Sequence, residues 1–224
     1  MTRKLLTLAF AALACGIAGA ATTKWSAASI NTSTTHELTG EDRFYAGQTF
    51  AISVTLNYST QISGQDLFGL SEGNRWSGNY VNIRIANNEN NYSIVLQGAG
   101  AGGLKQQVWT GVPTTTNTDY RLSIVVQRGA GDSQDKIYLY CNGTKIGDTL
   151  TLNSNMDAPI SNIIIPGSDS TVYKDVYVYG RDADESLEDF LAIAEGYSET
   201  GRIDGPLPEP TALALLALGV AGVA

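Results

Sequence analysis

Apolar and polar residues alternate along most of this chain with the two-residue period of a half-buried strand. In Thr49–Tyr58, residues Phe50, Ile52, Val54, Leu56 and Tyr58 fall on one face and Ala51, Ser53, Thr55 and Asn57 on the other, which predicts one face in a core and one in water. The same period recurs in 80–86 (Val81, Ile83, Ile85), 91–97 (Tyr92, Ile94, Leu96) and Tyr120–Gln127 (Leu122, Ile124, Val126). It returns in Lys136–Cys141 (Ile137, Leu139, Cys141) and in 172–179 (Val172, Val176, Val178). Turn chemistry separates these runs: Asn and Glu residues at 87–91, Gly129-Ala130-Gly131-Asp132, and Asn142-Gly143. The last pair is the favoured centre of a two-residue type I′ hairpin, because both positions need positive φ. One helix is predicted over 184–195, where Leu187, Phe190, Leu191 and Ala194 form a stripe and Asp182, Asp184 and Glu185 gather at the start. The pattern therefore predicts an all-β, two-sheet antiparallel β-sandwich with one short C-terminal helix.

Both ends of the chain break the alternation with hydrophobic segments. Residues 1–20 carry Arg3 and Lys4, then the apolar stretch 5–14, then Ala18-Gly19-Ala20, the order of a secretory signal peptide. Cleavage before Ala21 or before Thr22 both fit, and Ala12-Leu13-Ala14-Cys15 loosely resembles a lipobox. At the other end, Pro206, Pro208 and Pro210 stop any regular element, and an uncharged apolar run follows over 211–224. The run is shorter than the ~20 apolar residues that span a bilayer, which predicts transient membrane association. The chain divides into a leader (1–20), one domain (21–205) and a tail (206–224).

The formal net charge of −8 becomes two units more negative once Arg3 and Lys4 leave with the leader, so nucleic acid and anionic membrane surfaces are poor partners. After cleavage Cys141 alone remains of the two cysteines, which excludes an intramolecular disulfide. The single histidine, His36, sits among threonines and serines and reads as a loop residue in solvent. One His and one Cys give no closed zinc site without carboxylates. Calcium is a candidate for the oxygen-rich loops 87–91 and 132–135, although Asn and Asp are also ordinary turn formers there, and no cofactor is required. Trp76, Tyr80 and Trp109 are loop-flanked aromatics near amide side chains, fit either to stack on a sugar face or to cap the ends of the sandwich. The alternate Tyr173, Tyr177 and Tyr179 read as one tyrosine-rich strand face, and 98–103 reads as a flexible glycine connector.

Pro208, Glu209 and Pro210, directly before the apolar run, resemble the PEP-CTERM sorting signal of exported bacterial proteins. That family closes with arginines after the apolar segment, which this sequence lacks, as a truncated chain would. The resemblance implies an exosortase partner acting near these residues and delivery to the cell envelope, outer surface or extracellular matrix. Three segments over 48–196 also resemble laminin-G-like and concanavalin A-like jelly rolls: Thr49–Tyr58, the run from Asp119 through Gly147, and Tyr173 through Phe190. That likeness implies adhesion or binding of a polysaccharide. Endoglucanase relatives of the jelly roll carry a Glu-x-Asp-x-x-Glu strand, and none occurs here. Hydrolysis would instead need an acid such as Glu72 or Glu89 opposed to another beside Trp76, while a purely structural matrix component would need no groove.

Overall fold

The computed structural model describes residues 21–60, 65–71, 80–88, 91–100, 103–109, 115–152, 159–166 and 170–201, with backbone alone for 65–68, 80–88, 91–100 and 103–109. The predicted two-sheet antiparallel β-sandwich is the observed fold. The described residues form thirteen strands and one α-helix: β1 (Thr22–Ile30), β2 (Ser33–Glu37), β3 (Thr49–Tyr58), β4 (Gln65–Ser71), β5 (Tyr80–Asn88), β6 (Asn91–Gly100), β7 (Gly103–Trp109), β8 (Tyr120–Gln127), β9 (Lys136–Cys141), β10 (Thr144–Lys145), β11 (Leu150–Thr151), β12 (Asn162–Pro166), β13 (Thr171–Gly180) and α1 (Leu187–Thr200). One sheet runs β1-β13-β3-β8-β9-β10, with β11 also on β9, and the other runs β2-β12-β4-β5-β6-β7.

The alternation explains the space between the sheets. Phe50, Ile52, Val54 and Leu56 of β3 meet Leu122, Ile124 and Val126 of β8, Ile137 and Leu139 of β9, and Leu70, Ile163 and Ile165 from the opposite sheet. Each such side chain is removed from water, a gain of about 1.5–3 kcal/mol apiece. The Asn142-Gly143 turn is as expected: φ is 48° at Asn142 and 77° at Gly143, and Cys141 pairs with Thr144 across it.

The second face of β3 departs from expectation. Ala51, Ser53 and Thr55 are buried, not wet, because α1 lies across the outer face of this sheet. Phe190, Ile193 and Ala194 pack there on Ala51, Val125, Tyr140 and Tyr179. The polar members are satisfied beneath the helix: Ser53 Oγ lies 2.7 Å from Ser123 Oγ and 2.9 Å from the Tyr179 hydroxyl. The helix itself starts later and runs further than the 184–195 expected, since Ser186 is the cap, its Oγ accepting from the Asp189 N–H at 3.0 Å. It ends at Gly201, whose φ of 75° supplies the left-handed C-cap.

A bulge corrects the tyrosine face of β13. Lys174 opposes Thr55 and Tyr177 opposes Ser53, so Asp175 and Val176 share the single partner Val54, with Asp175 at φ 49°. The extra residue inverts the alternation. Tyr173 joins the inter-sheet core, whereas Tyr177 and Tyr179 face α1, and Val172 drops out of the core face. The glycine segment 98–103 is not a free connector either: Gly98 and Gly100 lie in β6, and Gly100 pairs with Gly103 of β7.

His36 is likewise not a loop residue. It lies in β2 and stacks on Trp25 of β1, with ring centroids 4.3 Å apart and planes 7° from parallel. Because β1 and β2 are edge strands of different sheets, this stack closes one open side of the sandwich. Partial burial holds the imidazole below its ordinary pKa, against an upward pull from Asp42.

Candidate functional site

The hydrogen-bond ladder places β1, β3, β8, β9 and β13 so that Thr22, Thr49, Gln127, Lys136 and Gly180 all lie at one end of their sheet. Loops at that end are tied together by a buried pair. The Arg128 and Asp135 side chains are both fully buried, with Nε 3.9 Å from Oδ2. Arg128 Nη1 donates to the Phe44 carbonyl at 2.6 Å, and the Gly129 N–H donates to Asp135 Oδ1 at 2.6 Å. Backbone bonds complete the joint: Gly47 N–H to the Gly129 carbonyl at 2.9 Å and Arg128 N–H to the Gln48 carbonyl at 2.9 Å. Arg128 Nη1 and Asp135 Oδ1 each find a partner inside the protein, as charges withdrawn from water require. The joint makes the 43–49 turn and the 128–135 loop one rigid wall. Gly129 is required in it, since a Cβ there would lie 2.1 Å from the Ser133 carbonyl oxygen.

Two open depressions flank this wall. The first, about 650 Å³, is lined by Gly47, Gln127, Asp132, Ser133, Gln134 and Lys136 among others. At its edge the Tyr138 hydroxyl donates to Gln127 Oε1 at 3.0 Å, and Lys145 Nζ stands 5.5 Å from the centre of the Tyr138 ring. The second, about 270 Å³, is lined by Thr22, Lys24, Glu41, Arg43, Gln48, Thr49, Arg181 and Asp182 over a floor that includes Phe44. Phe44 is stacked on Phe50 at 4.0 Å. Thr22 Oγ1 donates to Asp182 Oδ1 at 2.6 Å, and Lys24 Nζ lies 3.5 Å from Asp42 Oδ1.

Tyr45 stands on the turn between the two depressions. Among the described residues it is the large hydrophobic side chain left exposed, at 44%. Its N–H donates to Gln48 Oε1 at 2.7 Å and its hydroxyl to the Gly40 carbonyl at 3.3 Å, so the ring is held in place while still wet. The turn thus carries a flat aromatic surface, and the depressions to which it contributes carry amide, carboxylate and ammonium groups, two kinds of chemistry used to recognise hydroxyl-rich ligands.

The residues expected from sequence are distributed differently. Trp76 lies outside the described residues, as do Glu72, Glu89 and the sorting residues Pro208, Glu209 and Pro210. Tyr80 opens β5, paired with Ser71 and Ala99, whereas Trp109 closes β7, paired with Ile94. Ile94 also pairs with Ile85, so the two backbones are separated by about five residues along the strands, roughly 17 Å. Tyr80 and Trp109 therefore occupy opposite ends of their sheet and do not share one small subsite. Asp135, a calcium candidate, is taken up by Arg128 and Gly129. Among the described residues no three His, Cys, Asp or Glu side chains group to hold a metal ion, and no helix is long and apolar enough to cross a membrane.

No family model matches the chain, and no curated protein matches it. Solved sandwiches do. The carbohydrate-binding module of the Ruminococcus gnavus IT-sialidase, bound to α2,3 sialyllactose, is 13% identical over 77% of this chain and 98% of its own, with a TM-score of 0.49. The T. cruzi calreticulin globular domain is 10% identical over 84% and 80%, at 0.46. The botulinum neurotoxin serotype D binding domain is 13% identical over 76% of this chain and 42% of its own, at 0.48. These are likenesses of sandwich architecture, and no residue of a site carries across at such identities.

Proposed function

We propose that this chain is an exported, non-catalytic binding module that holds a polysaccharide at the end of the sandwich built by the 43–49 turn and the 128–135 loop. One observation carries the reading: an open, mixed-polarity depression of about 650 Å³ lies against a wall fixed by a buried ion pair, and the turn that supplies Gly47 to it also carries the solvent-exposed Tyr45. A preformed site of this kind loses little free energy to ordering when it closes on a ligand. Amide and carboxylate groups there offer donors and acceptors to hydroxyls, and the aromatic face offers a surface for the C–H side of a sugar ring.

The terminal segments support the cellular half of the proposal. A leader over 1–20 takes the chain across a membrane, and Pro208, Glu209 and Pro210 present it to an exosortase, which leaves the module at the outer surface or in the matrix. Glycan-array binding of the mature chain, with and without calcium, tests the binding half. Binding that falls in Tyr45→Ala without a change in melting temperature supports it. No signal on any glycan would overturn it, and release of reducing ends from a bound polysaccharide would replace it with a hydrolase.

A further inference from the structure

Resting on the glycan reading above, we propose that the two depressions and the Tyr45 turn form one continuous site for an internal stretch of an extended, uncharged polysaccharide, rather than a pocket for a single terminal sugar. The depressions share a wall in the strict sense: Gly47 lines the first, and Gln48 and Thr49, the next two residues, line the second. The first sits at the β8–β9 side of the sheet and the second at the β1–β13 side, with β3 between them. From β1 to β9 there are four strand spacings, or about 19 Å across the end of the sheet at ~4.8 Å each. That width exceeds a single sugar ring and suits several linked in a row.

Chemistry repeats along this width. Lys136 and Asp132 border the first depression, and Lys24, Arg43, Arg181, Glu41 and Asp182 border the second, so each half carries both signs of charge. A polyanion would meet Asp132, Glu41 and Asp182, and a polycation would meet the lysines and arginines. A hydroxylated neutral chain meets donors and acceptors in both halves. Neither depression is an enclosed cavity, so nothing demands a chain end.

The geometry of the ridge fixes how the halves cooperate. Because Arg128 Nη1 bonds to the Phe44 carbonyl and the Gly47 N–H to Gly129, the distance between the depressions is set before any ligand arrives. Filling the second half is then an intramolecular step once the first is filled, which multiplies affinity without new contacts in either half.

Isothermal titration of the mature chain with homologous series of neutral gluco-, manno-, xylo- and galacto-oligosaccharides, from disaccharide to hexasaccharide, tests this, alongside matched uronic-acid series. The expected result is an affinity that rises about tenfold or more with length in at least one neutral series. Arg181→Ala, in the second depression, should erase most of that gain in length dependence, with melting temperatures reporting that the variant folds. Affinity equal for disaccharide and hexasaccharide, or binding confined to the uronic-acid series, would overturn the extended neutral site and leave the glycan reading standing. Failure of every series would remove the glycan reading itself.

Discussion

Tyr45 and Phe44 are chain neighbours with opposite fates: Phe44 is 2% exposed and stacked on Phe50, and Tyr45 is 44% exposed on the 43–49 turn. Local sequence gives no sign of this difference, because both are aromatic and the turn that separates them is set by Gln48 and by Arg128 from a distant loop. Trp76, Tyr80 and Trp109 draw attention in the sequence for the same reason that Tyr45 does not: loop flanks can be read along the chain, exposure cannot. Glu185 shows a second effect of context at this scale. It is 5% exposed just before the cap of α1, and burial raises its carboxyl pKa, with Asp182 and Asp189 adding to the rise while the Asp182 N–H and Arg181 oppose it. The folded carboxyl therefore keeps its proton to higher pH than the unfolded one. Its contribution to stability is complete below the unfolded value and is lost as pH rises through the folded value. Glu185→Gln is accordingly expected to raise the melting temperature at pH about 7 relative to the parent and to lose that advantage at pH about 4, near the unfolded carboxylate pKa. A thermal scan across pH checks it, and a pH-independent difference would contradict the assignment.

Among elements, the strands with strict alternation were legible almost to their ends. Thr49–Tyr58, Tyr120–Gln127 and Lys136–Cys141 stand where the period put them. The polar face of β3 was legible as a pattern but not as an environment. Periodicity reports which side chains share a face, not what covers that face, and here α1 covers it. Small Ala51, Ser53 and Thr55 suit a helix lying close against the sheet. Phe190, fully buried in this contact and 5.5 Å from the Tyr179 ring, is its centre. Phe190→Ala should cost about 3–5 kcal/mol in denaturant-induced unfolding, with a smaller loss where Ser186→Ala removes the cap, about 1 kcal/mol. A Phe190 variant as stable as the parent would show that the helix is not part of the cooperative fold. The bulge at Asp175 escaped the sequence because a two-residue period has no mark for the one position where it slips.

Across the whole molecule, residues 1–20 and 206–224 lie outside the described residues, and the leader and sorting roles proposed for them are open to a direct measurement. Mass spectrometry of the secreted chain is expected to find an N-terminus at Ala21 or Thr22, and a C-terminal processing event that is lost when Glu209 is replaced by Ala. Unprocessed chain at both ends would contradict the sorting proposal. The sequence alone determined that this chain is built of short antiparallel strands and pointed to a two-sheet sandwich, because alternation, turn residues and the scarcity of helical periods are local properties that can be read along the chain. Tertiary structure decided which polar faces are dry, how the Trp25–His36 stack closes a side, and where the open depressions lie. Those features arise from pairs such as Arg128 with Phe44, or Ser53 with Tyr179, that are 84 and 126 residues apart, and no local pattern encodes a meeting at that separation.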